Sequence, residues 1–435
     1  MPFSLRAITR LRTLLGYRNW TKKEWIIAAA GFTIIVFAFA LISNSRHTAN
    51  KSELNHLFEL NPGNEFVKIT LSSKAKERGA FCLDGSLPGY HFQKGFGSGS
   101  ENWLLHIEGG GWCDSVSTCA FRKGTRRGST NYMEKGIPFQ GILSSNPLQN
   151  PDFFNWNKVK IRYCDGASLT GHPENEIKNG SRLFFRGQLI WEALMDEILS
   201  IGMSRAKQAF LSGCSAGGLA TLLHCDDFRE LLPKDTDVKC LSDGGFFLDV
   251  KDITGNSTMR SFYQNVVQLH GSAKSLLKDC VAKMEPYKCF FPEEIIKNIK
   301  TPVFLVNPAY DFWQIQNVLV PGGSDSHGHW KNCRLNINAC NGDQLDVLQG
   351  FRSSLLKAVS ESQKRKEVGM FIDSCFSHCQ TVSIETWHSP YSPRINNKSI
   401  AESVGDWYFN REEVKRIDCP FPCNPTCRNE DFTGI

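Results

Sequence analysis

The chain has 435 residues, 41% of them apolar and 22% charged, so it is long enough for a large core and too rich in aromatic residues to be disordered. Its net charge of +6 sits wholly in residues 1–46, where seven Lys or Arg face the single acid Glu24. The remainder is balanced at 43 bases against 43 acids, which excludes a general cationic field for nucleic acid and leaves an acidic substrate dependent on a local patch.

Residues 1–24 form a basic leader carrying Arg6, Arg10, Arg12, Arg18, Lys22 and Lys23. An uncharged apolar run, IIAAAGFTIIVFAFALI, follows at 26–42. That combination is expected to place 25–43 in a membrane as a signal anchor with a cytoplasmic N-terminus; Ala38-Phe39-Ala40 offers the alternative of a cleaved signal peptide. Residues 44–60 are expected to be a polar stem and 61–435 a single folded domain with loop insertions. All sixteen cysteines lie beyond the apolar run, from Cys82 to Cys427, as in an oxidising compartment. Four sequons there, at Asn50, Asn179, Asn256 and Asn397, are candidate glycosylation sites, whereas Asn19 is expected to be cytoplasmic and bare.

Within the domain, β-rich apolar runs at 103–108, 159–163, 209–212, 238–242, 302–306 and 369–373 end in glycine-rich or polar loops, and GFGSGSEN at 95–102 reads as a turn between strands. Helical patterns occupy 184–200 and 217–232. Strands alternating with helices predict an α/β fold with a mostly parallel central sheet, whose functional residues gather at the strands' carboxyl ends.

Four such ends carry chemistry. AFLS-Gly213-Cys214-Ser215-Ala216-Gly217 has the strand, turn and helix start of a nucleophile elbow, in which small residues flank a serine raised into the site. Upstream, WLLHIE-Gly109-Gly110-Gly111-Trp112 is placed to stabilise an oxyanion, with the N–H groups of Gly111, Trp112 and Ala216 as candidate donors. Downstream, Asp311 in NPAYDFWQ and His378 in SCFSHCQ follow in the order Ser, acid, His. Position alone leaves Asp243 open as the acid, and His327, His329 or His388 as the base. Cys375-x-x-His378-Cys379 could contribute to a zinc site, but disulfides pinning the histidine loop are the expectation in an oxidising compartment, and no metal or cofactor is expected. A Cys214–Cys225 bridge across the elbow helix is a further expectation.

The runs IEGGGWC, RYCDGASLTG, LSGCSAGGLA, LSDGGFF, NPAYDFWQ and SCFSHCQ, spread from about Leu71 to Cys427, resemble those of plant pectin acetylesterases, relatives of the animal Notum carboxylesterases. The resemblance implies an α/β-hydrolase fold, no cofactor, a Ser215–Asp311–His378 triad and removal of O-acetyl groups from galacturonan in the cell wall. A Notum-like esterase acting on a longer acyl group and a catalytically silent glycan-binding protein are the alternatives.

Overall fold

In the computed structural model, residues 66–172 and 182–434 are described. The leader, the apolar segment, the stem, Asn50 and Asn179 lie outside them. Among the described residues no helix is long and apolar enough to cross a membrane.

A ten-stranded sheet runs through the domain. Its strands are β1 (Val67–Leu71), β2 (Gly89–Gln93), β3 (Asn102–Ile107), β4 (Gly136–Ile137), β5 (Asn157–Ile161), β6 (Gln208–Cys214), β7 (Asp237–Asp243), β8 (Val303–Val306) and β9 (Val368–Ile372), with Lys415–Ile417 closing one edge. From that edge the order is β9, β8, β7, β6, β3, β5, all parallel, then β2, β1 and β4, each antiparallel to its neighbour. Six of the seven parallel strands are those the apolar runs predict, within a few residues; the edge strand Lys415–Ile417, also parallel to β9, is not. The antiparallel flank carries mixed polar sequences such as VKITL and GYHFQ, which give no clear period.

Alternation along the strands divides the core in two. Leu105, Leu211, Cys240, Leu305 and Met370 point to one face, Leu104, Phe210, Leu241, Phe304 and Phe371 to the other, and all are at most 1% exposed. Both faces are covered, as a parallel sheet requires. The first packs against helices α1 (Gly187–Ser200), α2 (Ala216–Glu230), α3 (Thr258–His270) and α4 (Gly342–Ala358) through residues such as Ile190, Leu219, Val266 and Leu348. The second receives α5 (Ile400–Tyr408) through Ile400, Val404 and Trp407. A capping box between Ser399 and Glu402 fixes the start of α5, satisfying N–H groups that the first turn leaves unpaired.

The consequence for function is positional. β3, β6, β8 and β9 all deliver their carboxyl ends to one rim of the sheet, and Gly111, Trp112, Ser215, Ala216, Asp311 and His378 each lie a few positions past one of those ends.

Candidate active site

The turn between β6 and α2 holds Ser215 at φ 58°, ψ −126°, a conformation that L-residues avoid and that nucleophile elbows adopt. Its amide donates to the Asp243 carbonyl at 2.8 Å, tying the turn to the end of β7. Gly217 lies so close to the Ile107 and Glu108 carbonyls that a Cβ would collide with both, so the small residue two beyond the serine is a packing requirement. Ser215 is 5% exposed, and its hydroxyl has no hydrogen-bond partner among the described residues.

Asp311, just past β8, and His378, past β9, meet: His378 Nδ1 donates to Asp311 Oδ2 at 2.7 Å. The other carboxylate oxygen accepts the Gln314 amide, so Asp311 also caps a helical turn and cannot swing away. Burial pushes the imidazole's pKa down, but the Asp311 charge and hydrogen bond, with the more distant Asp243 charge, outweigh it and hold His378 above its ordinary value. Asp243 accepts instead from the amides of Gln380 and Thr381 and from the Thr381 hydroxyl, at 3.1, 2.7 and 2.7 Å. The acid that position alone left as a rival thus anchors the chain just beyond the histidine. Burial pushes its carboxyl up, and those donors pull it back. The other histidines stand elsewhere: His327 and His329 are exposed, and His388 bonds Ser399.

The glycine loop after β3 lies directly on the elbow. A Cβ at Gly109 would fall 2.6 Å from the Cys214 carbonyl and 2.9 Å from Ser215 Cβ. Among the described residues, the amides of Gly111, Trp112 and Ala216 have no acceptor within the protein, so all three are unpaired donors. What holds this loop was not legible in the sequence. The Tyr163 hydroxyl donates to the Gly111 carbonyl (2.9 Å) and accepts the Ser168 amide (3.0 Å). Ser168 Oγ accepts from the Trp112 indole and donates to the Ala216 carbonyl, both at 2.8 Å, and so joins loop to elbow. Buried Arg122 donates to the Gly110 carbonyl at 2.9 Å. Tyr163 and Ser168 belong to the RYCDGASLTG run, whose distinctiveness was the one available signal.

The family model for Pectinacetylesterase matches residues 60–428. The chain belongs to the pectinacetylesterase family. It is 62% identical to pectin acetylesterase 5 of Arabidopsis thaliana over 98% of this chain and all of that protein, and 61% identical to pectin acetylesterase 4 of the same plant over 96% and 100%. The palmitoleoyl-protein carboxylesterase notum1 of Xenopus laevis is 27% identical over 81% of this chain and 73% of its own. A crystal structure of the Wnt deacylase Notum from Drosophila superposes with a TM-score of 0.70 at 23% identity, covering 84% of this chain and 100% of that one, a likeness of fold. As a member of the pectinacetylesterase family, the chain is a carboxylic ester hydrolase with the expected α/β-hydrolase architecture.

This pectinacetylesterase-family chain has all sixteen cysteines in eight disulfides, which places its maturation in an oxidising compartment of the secretory pathway. The expected Cys214–Cys225 bridge is not among them. Cys214 pairs with Cys379 and Cys225 with Cys240. Cys225 lies ten residues into α2, about 14 Å along the axis at ~1.5 Å per residue, whereas a disulfide needs Cα atoms within about 7 Å. Cys214–Cys379 joins the neighbour of Ser215 to the neighbour of His378, with Cα atoms 5.4 Å apart, and Cys375–Cys427 secures the other end of the histidine loop. The cysteines of the zinc-like run are therefore paired and cannot serve as thiolate ligands. Two further clusters with metal-ligand geometry, Cys113-Cys119-His270 and Asp418-Cys419-Cys423, likewise contain disulfide sulfur.

A Cys214→Ala, Cys379→Ala double variant is expected to lose about a hundredfold in kcat, because an ångström of drift between nucleophile and base has that order of effect. It should also lose about 2–5 kcal/mol of stability. Steady-state kinetics and thermal denaturation check this; unchanged kcat would deny the bridge a part in positioning the site. Of the candidate glycosylation sites, Asn256 is exposed, and so is Asn397, at φ 63° in the turn between the short strands Arg394–Ile395 and Lys398–Ser399.

Proposed function

We propose that the protein removes O-acetyl groups from acetylated galacturonan by a Ser215–His378–Asp311 acyl-enzyme mechanism. The carrying observation is the His378–Asp311 pair, tied by Cys214–Cys379 to the elbow on which the glycine loop, with its unpaired amides, also packs. His378 Nε2 takes the Ser215 proton as the hydroxyl attacks the acetyl carbonyl, and Asp311 holds the tautomer that leaves Nε2 unprotonated. Charge developing on the carbonyl oxygen is met by the amides of Gly111, Trp112 and Ala216. The imidazolium then protonates the departing sugar oxygen, leaving acetyl-Ser215. Water, deprotonated by the same histidine, releases acetate.

The side chains around the glycine loop favour a short acyl group. Trp112 packs edge-on against Phe247 and Trp313, at 4.8 and 5.8 Å between ring centroids, and Trp313 stacks on His378 at 6.3 Å. On this reading the aromatic box narrows the acyl side of the site. Phe247→Ala is expected to raise the ratio of kcat/KM for 4-nitrophenyl butyrate over 4-nitrophenyl acetate about tenfold, since a methylene or two in an apolar pocket is worth roughly that much or more. A ratio also cancels any loss of folded protein. The function itself is tested by acetate release from acetylated pectin by the full chain; cleavage of simple acetyl esters without release from pectin would remove the polysaccharide from this reading.

A further inference from the structure

Away from the basic leader the chain is electrically balanced, yet Arg122, Lys123, Arg126 and Arg127 fall within six residues. Their positions differ in kind. Arg122 is buried, and its guanidinium donates to the Gly110 and Arg127 carbonyls. Arg126 is half-exposed and pairs with Glu108 at 3.1 Å, with Glu134 at 3.9 Å. Arg127 lays its aliphatic stem against Gly110, its Cδ 3.2 Å from where a Cβ would stand, and its exposed guanidinium has no partner among the described residues.

Arg126 and Arg127 line a cavity of about 610 Å³ together with Trp112 and Phe121. Trp112 belongs to the aromatic box as well, so cavity and candidate active site share a wall. Phe121 is 80% exposed, an apolar ring at the rim with nothing over it. Gly109 packs on the elbow beside Ser215 and the adjoining Gly110 on the aliphatic stem of Arg127, so one stretch of the glycine loop borders both.

We propose that Arg127, flanked by Phe121 and Arg126, is a subsite for the free carboxylate of a galacturonate next to the acetylated residue. The inference rests on the galacturonan reading above. A guanidinium matches a carboxylate in two parallel hydrogen bonds, and an exposed aromatic face suits the C–H face of a pyranose. Glu108 and Glu134 are shared between Arg126 and buried Arg162 and balance those two charges together, which leaves Arg127 as the exposed cation of the cavity wall without a carboxylate partner among the described residues.

The test compares acetylated oligogalacturonate with free carboxylates against the same oligomer with every carboxylate methyl-esterified, using the full chain and Arg127→Gln. The wild type is expected to favour the free acid in kcat/KM by about three- to tenfold at low ionic strength, the range for a partly exposed ion pair, and the ratio should fall to about one in Arg127→Gln. Because each ratio is taken within one preparation, imperfect folding cancels. A wild-type ratio of one, or a ratio that survives the substitution, overturns the subsite while leaving the esterase reading intact. Should the full chain release no acetate from either oligomer, the galacturonan reading fails, and binding decides the subsite alone. The Kd of unacetylated oligogalacturonate for Ser215→Ala must then rise by a similar factor on adding Arg127→Gln, and equal values would dismiss it.

Discussion

Ser215→Ala is expected to lower kcat for acetate release by on the order of 10⁴- to 10⁶-fold while leaving the fold in place. The two halves of that result have separate causes. Alanine replaces serine without adding volume, and the positive φ at this position strains both residues alike. The hydroxyl has no hydrogen bond to lose, so the melting temperature should be unchanged. Without the hydroxyl no acyl-enzyme forms, and the burst of 4-nitrophenol at the start of turnover of the acetate ester should vanish with the steady-state rate. Residual rate enhancement would come from the amides of Gly111, Trp112 and Ala216 acting on a water attack. Ser168 provides the contrast within the site: its side chain bridges Trp112 and the Ala216 carbonyl, so its loss should disturb the loop geometry rather than abolish the nucleophile. A Ser215→Ala protein that keeps both burst and turnover would move the nucleophile elsewhere.

What the sequence conveyed and what it withheld follow the range of the interactions. The elbow was legible because its requirement is local: the turn needs small residues at fixed offsets from Ser215, and Gly217 against the Ile107 carbonyl is that requirement in space. Six of the parallel strands were legible because burial on both faces makes them continuous apolar runs, whereas VKITL and GYHFQ at the antiparallel flank have no such signature. Two of the three side chains that hold the glycine loop come from a segment some fifty residues away, and nothing in the spacing of Tyr163 or Ser168 announces a contact with Gly111 or Trp112. The Cys214–Cys379 bridge closes a separation of 165 residues, which cysteine counting cannot pair. Cys225 is near Cys214 in sequence but is carried away from it by the helix that begins at Ala216, and it pairs with Cys240 instead. Asp243 and Asp311 looked alike because both follow parallel strands; their hydrogen-bond partners separate them.

That separation sets the second large expectation. Asp311→Asn should lower the plateau kcat by on the order of 10⁴-fold, because an amide facing His378 Nδ1 presents no comparable acceptor and favours the tautomer with the proton on Nε2, where Ser215 needs a base. Asp243→Asn should leave a much larger plateau, since His378 keeps its Asp311 bond and loses only a charge and some anchoring of Gln380 and Thr381. The pH profile gives an independent readout. Activity needs neutral His378, and the two carboxylates stabilise its protonated form, so the acid limb of kcat/KM should lie above the ordinary histidine value of 6.5. Removing the Asp243 charge makes the imidazolium less favourable, lowers the histidine pKa, and moves that limb to lower pH. Equal loss of plateau activity in the two variants would return both aspartates to the same standing they had in the sequence. A shifted limb with a nearly intact plateau in Asp243→Asn, against a collapsed plateau in Asp311→Asn, would assign the hydrogen-bonded acid and the tethering acid their different parts.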